Sequence, residues 1–153
     1  MMQALYAWVR KLKIFTLNIS TKDKLLFLEA FFLTGIIRLK ILKVPFKQVK
    51  KSLGTYNEES QQTVDIKYYK LSRKIRWVVN TISKYTPWES LCLVQAMTAQ
   101  KMLKKRGVAT TLYLGINKDK NNEMTAHAWI RCGQMYVTGG DGTGYATVAK
   151  FTN

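Results

Sequence analysis

A chain of 153 residues, 47% hydrophobic and 22% charged, has the size of one domain and can bury a core, which excludes intrinsic disorder. Its 25 Lys+Arg against 9 Asp+Glu give a net charge of +16, which predicts attraction to nucleic acid, a membrane surface or an acidic peptide. Two Cys and one His exclude a disulfide scaffold and a zinc site built mainly from Cys and His, so no metal is expected.

Near the start, Arg10, Lys11 and Lys13 are not followed by an apolar core ending in a small-residue cleavage site. Free Cys and no export signal make the cytoplasm the expected compartment. A short helix is expected over residues 5–17. Ser20 followed by Asp23 then marks a helix start, because the hydroxyl caps an orphan amide and the carboxylate favours the first turn. This helix runs through LLFLEAFFLTGIIRLKIL and should stop before Pro45. Stretch 25–42 carries Glu29, Arg38 and Lys40, whereas a spanning helix needs about 20 mostly uncharged residues. It reads as a buried or partner-facing helix, with no membrane partner expected. Phe27, Phe31, Phe32, Ile36 and Ile37 either pack on a later helix or leave a patch for a partner.

Residues 56–65 (YNEESQQTVD) are polar and lack periodicity, so they read as an exposed connector. Leu71, Ile75, Val78, Val79 and Ile82 fall at helical spacing within 68–85, and Pro87 ends that element. The next helix is expected over 89–106, where Cys92, Ala96, Ala99 and Leu103 share one face. Lys104, Lys105 and Arg106 suit its negative end, and Gly107 suits the left-handed closing position. Strands follow at 108–116, 125–132 and 135–138, with a charged turn at 118–123 and a hairpin at Gly133-Gln134. Helices followed by an antiparallel sheet make an α+β fold. One domain, 1–153, is expected, with a helical part over 1–86 and a Cys-bearing helix plus sheet over 87–153.

Cys92 falls in the first turn of its helix, where unpaired amides and the helix dipole favour a thiolate. Read by itself it is more simply a small buried residue on an apolar stripe. His127, the one His of the chain, lies in a strand inside Ala126-His127-Ala128-Trp129. Strand side chains alternate, so Cys132 points away from the His127 side and Cys92 is the better nucleophile. A three-residue hairpin loop pairs Cys132 with Tyr136 and therefore His127 with Asp141, whose carboxylate could orient the ring. A two-residue loop instead opposes His127 to Gly140, and a bulge near Gly139-Gly140 could restore Asp141.

Four strings carry a resemblance: Cys92-Leu93-Val94-Gln95-Ala96, Leu103 through Val108 (LKKRGV), Leu112-Tyr113-Leu114-Gly115-Ile116, and Ala126-His127-Ala128-Trp129-Ile130. In order and spacing they resemble the transglutaminase-like cysteine proteases of lasso-peptide biosynthesis, which remove the leader from a ribosomally made precursor. The resemblance implies a transglutaminase/papain-like core with a central helix, and a catalytic Cys92, His127 and Asp141. Val94-Gln95-Ala96-Met97 departs from the small or Ser-rich step common after the family's Cys-Leu. The resemblance also implies no cofactor, and it leaves the role of ATP in cleavage open. Its implied partners are the precursor leader, a separate small leader-recognition protein and an asparagine-synthetase-like cyclase that closes a macrolactam on the freed amine.

The mechanism it implies is acyl transfer through a thioester, with the Cys92 amide as first oxyanion donor and the second open between Trp88 and Gln95. Amide transfer rather than hydrolysis is the alternative within enzymes. A basic nucleic-acid-binding module is the alternative outside them, suggested by the charge and by 4 Trp, 8 Tyr and 6 Phe. Its basic residues are spread along the chain without a binding motif, so nucleic acid is not an expected partner. A catalytically dead scaffold is the third reading.

Overall fold

A computed structural model describes residues 19–153, and the helix expected over 5–17 lies outside them. Four helices, α1 (Thr21–Lys43), α2 (Phe46–Lys51), α3 (Ile66–Ile82) and α4 (Cys92–Lys104), precede most of the sheet. The strands are β1 (Thr55–Tyr56), β2 (Thr111–Lys118), β3 (Met124–Cys132), β4 (Met135–Thr138) and β5 (Ala146–Thr152). They form one sheet in the order β1-β5-β2-β3-β4, with every neighbouring pair antiparallel. The architecture is α+β, as the order of patterns predicts. Among the described residues no helix is long and apolar enough to cross a membrane.

Local chemistry sets the helix ends. The Ser20 hydroxyl accepts the Asp23 amide at 3.2 Å, and α1 stops where Val44 turns extended before Pro45. The α4 start falls three residues later than Glu89, because the preceding turn bonds to itself. The Thr86 hydroxyl donates to the Trp88 carbonyl at 2.9 Å, and the Gln95 amide reaches back to the Ser90 carbonyl at 2.7 Å. At the other end Gly107 (φ 72°) donates to the Lys104 carbonyl and Val108 to that of Leu103, the paired closure that a left-handed residue permits.

Helix α4 is the centre of the core. It packs against α1, α3 and β3, and small Ala96 and Ala99 let those elements approach while Met97, Met102 and Leu103 are fully buried. The apolar residues of α1 divide: Phe27 and Ile37 are buried, while Phe32 and Ile36 are exposed. One side of that helix therefore packs in the core and the other faces outward.

Strands β2 and β3 pair without a slip from Thr111↔Arg131 to Lys118↔Met124. Side chains alternate strictly along that ladder. Leu112, Ala128, Ile130 and Cys132 join the core under the helices, so Tyr113, Gly115, His127, Trp129 and Arg131 belong to the other face. The β3–β4 hairpin has a two-residue loop, with Cys132 opposite Met135 rather than Tyr136. A slip between Arg131 and Ile130 then brings Thr138 opposite Ile130, so the extra residue lies inside β4 and not at the glycines.

Strands β1 and β5 were not anticipated, and segment 57–65, an exposed connector as expected apart from buried Ser60, is also a tether. Arg131 is 4% exposed, and a buried guanidinium needs acceptors. Segment 57–65 supplies the Glu59 carboxylate at 3.1 Å and the Ser60 carbonyl at 3.2 Å, and the hairpin adds the Gly133 carbonyl.

Candidate active site

Cys92 is the first residue of α4. Leu91 stands at the N-cap with an extended backbone and has no side-chain oxygen to offer, so no side chain caps the first amides of the helix. The thiol is free and half-buried against the core. Cys132 is its opposite: it is fully buried, and burial pushes its thiol above the ordinary range against smaller opposing effects of Ser72 and Arg131.

On the other face of β3, the His127 Nε2 is 2.7 Å from the Gly139 carbonyl oxygen. A carbonyl only accepts, so Nε2 carries the hydrogen and the lone pair of the neutral ring lies on Nδ1. The ring sits between Trp129, stacked at 5.9 Å, and Tyr145 at 4.9 Å. Space for this arrangement comes from Gly115, directly across the ladder from His127. A Cβ there would stand 2.7 Å from the Trp129 ring and 2.9 Å from the Tyr145 Cβ. Composition gave no sign of that role for Gly115, although the register of two paired strands would have revealed it.

Asp141 is placed close in sequence to this hydrogen bond but not in it. Its carboxylate accepts the Thr143 amide at 2.9 Å and the Thr143 hydroxyl at 2.6 Å, and these bonds hold its carboxyl below the usual range. The ladder ends too early to carry it to His127. β4 stops at Thr138, and Gly139 and Gly140 (φ 79° and 70°) swing the chain across β3, so close that a Cβ on Gly139 would overlap the Ala128 carbonyl. Gly139 thus occupies the orienting position with its main chain.

No hydrogen bond joins the Cys92 thiol to His127. Because β4 ends opposite Ile130, His127 has a partner strand on the β2 side only, and its side chain lies on the sheet face away from the core against which Cys92 packs. Both side chains considered as a second oxyanion donor already make one hydrogen bond each. The Trp88 indole N–H is directed at the Thr34 hydroxyl (3.3 Å), and the Gln95 amide holds the Ser90 carbonyl. Gln95 instead braces the turn from which α4 starts, and so positions Cys92. Among the described residues, no three His, Cys, Asp or Glu side chains converge as metal ligands.

Comparison with known proteins finds no curated relative and no solved structure that matches the chain. One family model, described as the transglutaminase-like superfamily, matches residues 41–152, a span that includes α3, the Cys92 helix and the whole sheet. A match over that much of the chain, coinciding with the helix-and-sheet core just described, shows that the chain belongs to the transglutaminase-like superfamily.

Proposed function

We propose that the chain is a cysteine peptidase acting through a thioester on Cys92, and that its substrate is the leader portion of a ribosomally made lasso-peptide precursor. The His127–Gly139 hydrogen bond carries the chemical part of this reading, since it leaves Nδ1 as the basic nitrogen. Transglutaminase-like domains are commonly cysteine peptidases or acyl transferases. Hydrogen bonds between catalytic groups are often long before substrate binds and tighten afterwards.

In the proposed reaction, Nδ1 of His127 takes the Cys92 proton as the sulfur attacks the scissile carbonyl carbon. The carbonyl electron pair moves onto oxygen, where the uncapped amides at the α4 start receive it. Collapse of the adduct expels the amine, which regains the proton from Nδ1 and leaves a thioester. Water then gives a proton to Nδ1, splits the thioester, and releases a carboxylic acid and the thiol. Asp141 enters as counter-charge to the imidazolium. It lies two residues beyond Gly139, and its move from Thr143 to Nε2, in place of the Gly139 carbonyl, would complete a Cys-His-Asp triad. No step uses a cofactor. A separate small leader-recognition protein delivers the precursor, an asparagine-synthetase-like cyclase receives the product, and all three act in the cytoplasm.

The test incubates the full chain with precursor and leader-recognition protein from neighbouring reading frames in ¹⁸O-labelled water. The expected result is a freed core peptide and a leader whose new carboxylate carries the label. An added amine appearing on the leader in place of the label would favour amide transfer. Intact precursor in the presence of both partners would remove the substrate assignment.

A further inference from the structure

We infer that the outward face of α1 is a docking surface for an anionic lipid bilayer, on which the chain rests without crossing it. Helix α1 has two apolar faces. One contains Phe27, Ala30, Thr34 and Ile37 and is buried in the core. The other consists of Leu25, Leu28, Phe32, Ile36, Leu39 and Leu42, which are between 53% and 63% exposed. Leu25, Leu28, Phe32 and Leu39 each stand two residues from a buried one, about 200° around the helix. The strip thus runs along the side opposite the core from Leu25 to Leu42, about 26 Å. Six large side chains more than half exposed in one row exceed what a monomer ordinarily presents to water.

Charge selects the occupant. Exposed Lys22, Lys24 and Lys43 border the strip, and Lys47 follows it. The two carboxylates of α1 are already paired: Asp23 with Lys74 at 2.7 Å, and Glu29 with Arg106 at 2.6 Å and Lys105 at 3.4 Å. The border therefore presents cations, on a chain of net charge +16. A second copy would bring the same cations to the contact. Anionic headgroups suit both parts. The leucines and phenylalanine enter the acyl boundary while the lysine heads reach up to the phosphates. Glu29, Arg38 and Lys40 make the helix unfit to span a bilayer, but lying flat on its surface sets a different requirement. No group of the Cys92 site takes part, so the inference is independent of the peptidase reading.

The full chain would be sedimented with vesicles of phosphatidylcholine alone and of phosphatidylcholine mixed with phosphatidylglycerol. Binding is expected to the mixed vesicles, weakening as salt is raised, with little to the neutral ones. The double variant Phe32→Glu, Leu39→Glu changes exposed positions only, and its fold can be checked by circular dichroism. It should lose more than about tenfold in vesicle affinity. In a Cys92→Ala background, Phe32→Cys should react quickly with a maleimide in solution and about tenfold more slowly on mixed vesicles. Equal sedimentation of parent and double variant would overturn the inference, as would no binding at low salt. Slow labelling of Phe32→Cys without lipid would also overturn it: a dimer by light scattering would assign the strip to a second copy, and a monomer to the chain's own covering. Protection of that cysteine by the leader-recognition protein but not by vesicles would assign it to a protein.

Discussion

The imidazole of His127 is held at Nε2 by the main-chain carbonyl of Gly139, 2.7 Å away and twelve residues further along the chain. A backbone acceptor cannot be removed by changing a side chain, and it selects the same neutral tautomer that a carboxylate would. It does not, however, supply negative charge when the ring becomes an imidazolium. This difference separates the roles of Gly139 and Asp141 and makes them measurable.

The ring nitrogens of ¹⁵N-labelled His127 should report the Nε2–H tautomer whenever the ring is neutral. His127→Ala should lower turnover by on the order of 10³ or more, since it removes the proposed base. Asp141→Asn should retain the fold and the tautomer while lowering kcat, with KM little changed. Unchanged turnover in Asp141→Asn would leave Gly139 as the sole orienting group.

Iodoacetamide near neutral pH should modify Cys92 well before Cys132. The first is half-buried at a helix start, whereas the second is fully buried and kept protonated by that burial. Cys92→Ala should abolish the acyl-enzyme seen by mass spectrometry, and Cys132→Ala should retain it. Equal loss in the two variants would count against Cys92 as the nucleophile.

Much of this arrangement was legible in the residues. Ser20, Asp23, Pro45 and Gly107 are punctuation that acts locally, so the helix ends they mark needed no knowledge of the rest of the chain. Alternation likewise placed His127 and Cys132 on different faces of one strand. The hairpin register was not legible, because Gly133-Gln134 fits a loop of either length and the slip inside β4 depends on packing around Arg131 and Ile130. Arg131 itself looks like any exposed strand cation until Glu59, 72 residues earlier, closes over it. The bond from His127 to a glycine carbonyl was invisible for a related reason: main-chain atoms leave no mark on composition.

Gly115→Ala should destabilise the protein by about 1–3 kcal/mol, because a methyl group must displace both the Trp129 ring and the Cβ of Tyr145. The same crowding would tilt His127, so cleavage should fall further than stability. Gly107→Ala is the control. Nothing lies within 4 Å of its would-be Cβ, and only the left-handed φ of 72° is strained, at about 1–2 kcal/mol. Chemical denaturation alongside turnover checks both, and a Gly115→Ala enzyme with normal kcat would show that the ring stack is not needed for chemistry.

Acid should unfold the protein partly through Glu59 and Glu29. The first is held below the ordinary glutamate value of 4.5 chiefly by its hydrogen bond from Lys150, with Arg131 contributing, and the second chiefly by that from Arg106. For both groups the folded state binds the proton less tightly than the unfolded chain. Their contribution to stability is therefore complete above the unfolded value and is lost as pH falls through the lower folded one. Glu59→Gln and Glu29→Gln should each flatten the acid side of a stability-versus-pH curve while leaving its shape above neutrality unchanged. Arg131→Met should cost about 1–3 kcal/mol, because it leaves the Ser60 and Gly133 carbonyls without the guanidinium that joins them, while exposed Glu59 keeps its bond from Lys150. Restoring part of that loss in Arg131→Met, Glu59→Gln would add the carboxylate as a cause, and no recovery would assign the cost to the two carbonyls and the packing of the side chain.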